Sequence, residues 1–84
     1  MSYEKVSTAK EIVVGTKQTV KAIQKGRVQA VILAADADPR VINPVLTAAE
    51  EHGVPIWQVD SMQKLGKACG IDVKASAVGI IKEK

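Results

Sequence analysis

The residue types that could do chemistry in this chain gather at one turn. Val14-Gly15-Thr16-Lys17-Gln18 leads from an apolar stretch through glycine into a helical pattern. A strand that passes through glycine into a helix start turns several unpaired backbone N–H groups outward and favours a bound anion. At roughly 100° per residue, Lys17, Gln18, Lys21 and Lys25 fall within about a third of the helix circumference. Val20 and Ile23 occupy another side, suited to packing on a sheet. Lys17 at the first helical position opposes the helix macrodipole. That placement makes physical sense if an external acceptor, such as a phosphate or a guanine edge, neutralises the ammonium. A freely solvated lysine is the competing explanation, and on these residues alone the two stand close together.

The remaining reactive groups point away from catalysis. His52 is the only histidine and stands between Glu51 and Gly53, where a helix terminus accounts for it better than a general base. Cys69 is the only cysteine, so it forms no internal disulfide and supports no metal site. Its spacing from Met62 and Leu65 places it on one helical face, as a buried structural thiol. Asp36 and Asp38 are paired carboxylates, yet a turn before a helix explains both. No phosphate-binding loop or dinucleotide fingerprint is present, and Gly66 and Gly70 read as close packing followed by a helix stop. Neither an enzyme nor a cofactor is expected.

The elements that must position the turn can be read from breakers and periodicity. A short first helix runs through about Ala9, and Ile12 to Val14 forms a strand. A helix from Lys17 to about Lys25 follows, capped by Thr16 and closed by Gly26. Val31-Ile32-Leu33 reads as a strand covered on both faces. Asp38 caps the next helix with Pro39 in first position, and Pro44 either kinks that helix or restarts it after Asn43. Val54 to Val59 is a third strand, and Asp60 with Gln63 resembles a capping box for a helix through Cys69. The loop Ile71 to Ser76 and a strand from Val78 to Ile81 complete the chain. This alternation predicts an α/β domain, a three-layer α/β/α sandwich around a four-stranded, largely parallel (mixed) sheet.

Eighty-four residues are expected to form one domain, residues 1–84, acting as a monomer. Residues 1–5 open no apolar stretch, and the longest apolar run, Ala30 to Ala35, is far too short to span a bilayer. No membrane association is expected, and the single thiol fits a reducing, cytoplasmic setting. Net charge is +3, unevenly spread: residues 1–35 carry +4, residues 36–60 carry −4 and residues 61–84 carry +3. Two basic segments that met in space would form one positive face for a polyanion.

Three blocks carry a resemblance. Gly15-Thr16-Lys17-Gln18-Thr19-Val20-Lys21 resembles the Gly-x-Asn-Glu-x-x-Lys signature of the kink-turn-binding ribosomal protein family typified by L7Ae. Ala34 to Pro39 resembles its strand-to-helix segment. Ser61 to Gly70 is similar to its Ser-Lys-Gln-x-Leu-Gly-x-Ala-Cys-Gly run. The blocks lie in the family's order and cover nearly the whole chain.

The resemblance implies the three-layer sandwich reached above and binding to kink-turns, sharply bent RNA motifs built around tandem sheared G·A pairs. It implies that Gly15, Thr16, Lys17, Gln18 and Lys21 meet those pairs and nearby phosphates, and that Asp38 and Ile42 help hold an extruded nucleotide. The loop Ile71, Asp72, Val73, Lys74 and Ala75 matches the second RNA-contacting segment. Partners of this kind would be ribosomal RNA, riboswitch-type RNA or the ribosome.

Two departures stand out. Lys17-Gln18 replaces the usual Asn-Glu, and Val73-Lys74 replaces an Arg-Pro common in the loop. Ile71, Val73 and Ala75 would form an apolar lip for an unstacked base, unless the domain's own core claims them. The rival to RNA binding is a protein-interaction or regulatory module on the same fold.

Overall fold

Where the last strand enters the sheet decides what the chain can bring together. The computed structural model describes residues 2–82. In chain order the elements are α1 (Ser2–Thr8), β1 (Glu11–Val14), α2 (Thr16–Gln24), β2 (Ala30–Ala34), α3 (Pro39–Glu51), β3 (Ile56–Val59), α4 (Met62–Ala68) and β4 (Ala77–Lys82). The sheet order is β1-β4-β2-β3. β4 runs antiparallel to both β1 and β2, with Val78 opposite Val14 on one side and Ile32 on the other. Among the described residues no helix is long and apolar enough to cross a membrane.

The sheet is mixed and helices cover both faces, as the alternation predicts. Its parallel share is smaller than expected, because only β2 and β3 pair in parallel. The cause lies in α4 and the loop behind it. α4 has seven residues and is about 10 Å long. The loop then doubles back along it, with the Ile71 N–H on the Gly66 carbonyl at 3.1 Å and the Ala75 N–H on the Met62 carbonyl at 3.1 Å. The chain therefore returns to the sheet end where β3 stopped, and β4 must run against β2.

β2 is buried at all five positions, the signature of a central strand covered on both faces. Ala30, Ile32, Ala34, Val78 and Ile80 pack with Val6 of α1 and Leu65 of α4. Val31, Leu33 and Ala77 pack with Ala22 and Ile23 of α2 and Val45, Ala48 and Ala49 of α3. Gly79 lets α2 settle close to the sheet, since a Cβ there would lie 2.9 Å from Val13 Cγ2 and 3.2 Å from Thr19 Cγ2.

Two local expectations change. Gly15, not Thr16, is the N-cap of α2, and it offers no side-chain cap. Ser61, not Asp60, caps α4 through a 3.3 Å bond from the Lys64 N–H to its hydroxyl. Asp60 is taken by the Tyr3 hydroxyl, which donates to its carboxylate and accepts the Ser61 N–H at 3.1 Å. α3 passes through Pro44 without ending. Pro44 is exposed, so water can satisfy the carbonyl its missing N–H leaves free.

The close pass of loop over helix makes Gly66 testable. A Cβ at Gly66 would sit 2.0 Å from the Val73 carbonyl oxygen, so backbone must move. Gly66→Ala is expected to cost roughly 1–3 kcal/mol in a denaturant melt, as overpacked sites do. The Tyr3–Asp60 contact is testable by pH. The Tyr3 hydrogen bond, followed by smaller contributions that include Lys64, holds the Asp60 carboxyl below its ordinary value. A depressed folded value means the contact stabilises above the unfolded value and is lost as pH falls through the folded one. Tyr3→Phe should raise the Asp60 titration followed by NMR, and the stability gap between variant and wild type should close on acidification.

Candidate nucleic-acid interface

Gly15 holds φ 103° and ψ 151°, a conformation that L side chains rarely adopt. Nothing lies within 4 Å of where a Cβ would be, so the demand for glycine here is conformational and leaves the space above it open. Its N–H donates to the Ala77 carbonyl at 2.9 Å, which ties the turn to the start of β4. Its carbonyl accepts the Thr19 N–H at 3.0 Å and the Thr19 hydroxyl at 2.6 Å. Thr19 is fully buried, and this bond satisfies its hydroxyl.

Thr19 also carries the first N–H of α2 with a partner at the cap. Helix geometry leaves the N–H groups of Thr16, Lys17 and Gln18 without an intrahelical acceptor. Thr16 is half-buried, while Lys17, Gln18 and Lys21 are exposed. Gln18, Lys21, Lys25 and Arg27 line a cleft against Glu11 of β1. Among the described residues, none of these four cations (Lys17, Lys21, Lys25, Arg27) has an ion pair; the pairs present are Arg40–Asp38 and Lys64–Asp60. Arg27 was missed by the helical-face reading because it follows Gly26, beyond the end of α2.

Asp38 and Ile42 lie at the same sheet end. Asp38 is the N-cap of α3, accepting the Arg40 N–H at 2.9 Å and its guanidinium at 3.1 Å. Those bonds to Arg40 hold its carboxyl below the ordinary value. Ile42 is half-buried and packs against both core layers. The Ala34 N–H donates to the Ser76 carbonyl at 3.0 Å, so β2 and the end of the 71–76 loop are in contact.

Within that loop the side chains divide. Val73 is 68% exposed, and Asp72 and Lys74 are exposed beside it. Ile71 is half-buried against the core. Ala75 is only 2% exposed and belongs to the core, so the expected three-residue lip shrinks to Val73 with Ile71 at its base. The alternation of the loop's apolar residues hid this, because Ala75 is turned inward by its backbone bond to Met62. Gln63, Lys67 and residues 71–74 line a concavity there.

The two basic segments meet where α1 packs on α4 and β1 pairs with β4, but the α2 lysines stand in the other helical layer. α2 packs with α3 in one layer and α4 with α1 in the other. Lysines of α2 and α4 therefore flank the sheet end from opposite sides. Cys69 is half-buried at the C-cap of α4, its thiol pushed up by burial, and His52 is the exposed C-cap of α3. His52 stands at the helix end expected for it, whereas Cys69 is only half-buried where burial was expected.

Comparison with known proteins finds relatives that align along nearly the whole chain. The sequence model of the ribosomal protein L7Ae/L30e/S12e/Gadd45 family matches residues 2–84. An RNA-binding protein of Geobacillus sp. (strain WCH70) is 58% identical over 82 residues, covering 98% of this chain and 100% of that protein. The RNA-binding protein YbxF of Geobacillus stearothermophilus is 55% identical over the same length and coverage. Among solved structures, the Giardia lamblia 15.5kD RNA binding protein superposes with a TM-score of 0.81 at 33% identity, covering 95% of this chain and 67% of that one.

Proposed function

The chain belongs to the ribosomal protein L7Ae/L30e/S12e/Gadd45 family, and from that premise we propose that it is a non-catalytic RNA-binding protein that recognises kink-turns. One observation carries this reading. The segments that begin at Gly15 and at Ala34 and the end of the 71–76 loop, distant in sequence, are joined by backbone hydrogen bonds at a single sheet end: Gly15 to Ala77, and Ala34 to Ser76. The relatives named RNA-binding proteins match 98% of the chain, which supports RNA as the partner class. Ribosomal RNA or a riboswitch-type RNA is the target we favour, in the cytoplasm and with the protein as a monomer.

The roles follow from chemistry and placement. The open N-terminus of α2 offers N–H groups and a positive dipole end to backbone phosphate. Lys17 donates to guanine O6 or N7 of a sheared pair. Gln18 accepts from guanine N–H groups through its amide oxygen, without the charge that strengthens such a bond in a carboxylate. Lys21 meets phosphate. Asp38 and Ile42 border the space for an extruded nucleotide, and Val73 offers that base an apolar surface.

A kink-turn hairpin should bind more tightly than the same hairpin with its G·A pairs replaced, in a gel shift at fixed salt. Equal affinity would leave only unspecific attraction to the lysines. Affinity should also fall as salt rises, because bound lysines displace condensed counterions.

Side-chain substitutions separate the contacts. Lys17→Ala should cost about 1–3 kcal/mol and shrink the discrimination against the replaced hairpin. Lys21→Ala should weaken both RNAs evenly. Val73→Ser should cost about 1–3 kcal/mol through faster dissociation, with an unchanged salt slope. All three side chains are exposed, so melting temperatures should stay close to wild type. A Val73→Ser protein that binds normally would remove the loop from the interface.

A further inference from the structure

Asp36 lies two residues before the cap of α3, and a turn suffices to explain an aspartate there. Its carboxylate does something less local. Oδ1 accepts the backbone N–H of Met62 at 2.9 Å, twenty-six residues away. Met62 is the first residue of α4, so Asp36 satisfies one of the N–H groups that a helix start leaves open and sets a negative charge at the positive dipole end. Ser61 serves a different donor of the same helix, the Lys64 N–H. α4 thus has two caps, one from its own sequence and one from the β2–α3 turn.

The far side of Met62 faces the loop. Its carbonyl accepts the Ala75 N–H at 3.1 Å, and its sulfur lies 3.5 Å from the Ser76 hydroxyl that donates to it. The loop's other hold on α4 is the Ile71 N–H on the Gly66 carbonyl, beside the tight pass of Val73 over Gly66. α4 has seven residues, too few to be stable by helix propensity. Where its first turn sits therefore depends on its caps, and the loop takes its position from that turn.

We propose that Asp36 is a positioning residue for the 71–76 loop, acting through Met62 so that the β2–α3 turn and the loop present one rigid RNA-binding edge. The role in RNA binding rests on the function proposed above, whereas the placement of the loop does not. Asp36→Ala removes the acceptor. Asp36→Asn keeps an oxygen that can take the same N–H, and Asp36→Ser, too short to reach, replaces Asp36→Ala should that variant not fold.

The test has two arms. In the RNA-free protein, amide chemical shifts of Met62 and residues 71–75 are compared by NMR in wild type and variants, with a melt recorded for each. Asp36→Ala should move those amides together, and Asp36→Asn should leave them near wild type. If the Met62 amide moves alone and the loop amides stay in place, Asp36 is only a helix cap and the proposal is overturned.

In the second arm, affinity for the kink-turn hairpin is measured for Asp36→Ala, Val73→Ser and the double variant. Asp36→Ala should weaken binding about three- to ten-fold, the scale of a lost cap, with rescue in Asp36→Asn. The double variant should bind little worse than Val73→Ser alone, since both act through one loop. Multiplying losses, or normal binding by folded Asp36→Ala, would overturn the positioning role in RNA binding. Failure of wild type to prefer the kink-turn would overturn the function instead, and the NMR arm would still decide whether Asp36 places the loop.

Discussion

The bonding of Ser76 and Ala77, where the chain enters β4, to two neighbours at once is the constraint on which the rest of the structure depends. Ser76 and Ala77 supply carbonyls to the Ala34 and Gly15 N–H groups, 3.0 and 2.9 Å away. Those two bonds stitch together the ends of β1 and β2 and the loop that follows α4. A central antiparallel strand entering at this end turns three sequence-distant segments into neighbours. Backbone groups do this work, so it is insensitive to which side chains the segments carry. Lys17-Gln18 and Val73-Lys74 can therefore depart from the family pattern without moving the scaffold beneath them.

Small residues then bring the layers close enough for the arrangement to hold. Gly79 allows α2 to lie against β4 and Gly66 allows the loop to lie against α4, two sites where a methyl group would collide with Val13 or with the Val73 carbonyl. In a chain with few aromatic residues the core is built from aliphatic side chains and from this close approach. Dispersion contacts across such short separations replace the area that larger side chains would bury.

Charge is divided by role at the same edge. Asp36, Asp38 and Asp60 accept from Met62, Arg40 and Tyr3, so each acid has a structural donor. Lys17, Lys21, Lys25 and Arg27 have no acid partner among the described residues. Lysines that spend nothing on internal pairs keep their full charge available to a polyanion. Within the acidic middle segment, Asp36 and Asp38 serve as helix caps and Asp60 holds Tyr3.

Much of this was legible in the residues. Glycine at 15 before a helical run, the apolar run around Ile32, Pro39 after Asp38 and the block from Ser61 to Gly70 located the elements and the candidate edge, because propensity, capping and periodicity act over a few residues. The choices that failed were those where two local donors or acceptors competed. Thr16 and Gly15, or Asp60 and Ser61, are equally good caps on paper, and a tyrosine fifty-seven residues from Asp60 settled the second pair.

Likewise, the alternating Ile71, Val73 and Ala75 give no sign that Ala75 turns inward and Val73 outward. Strand direction was undetermined for the same reason: β4 is antiparallel because a loop folds back along a short helix, which no window of sequence contains. Local chemistry specified the pieces, and long-range backbone bonding decided which of their faces meet.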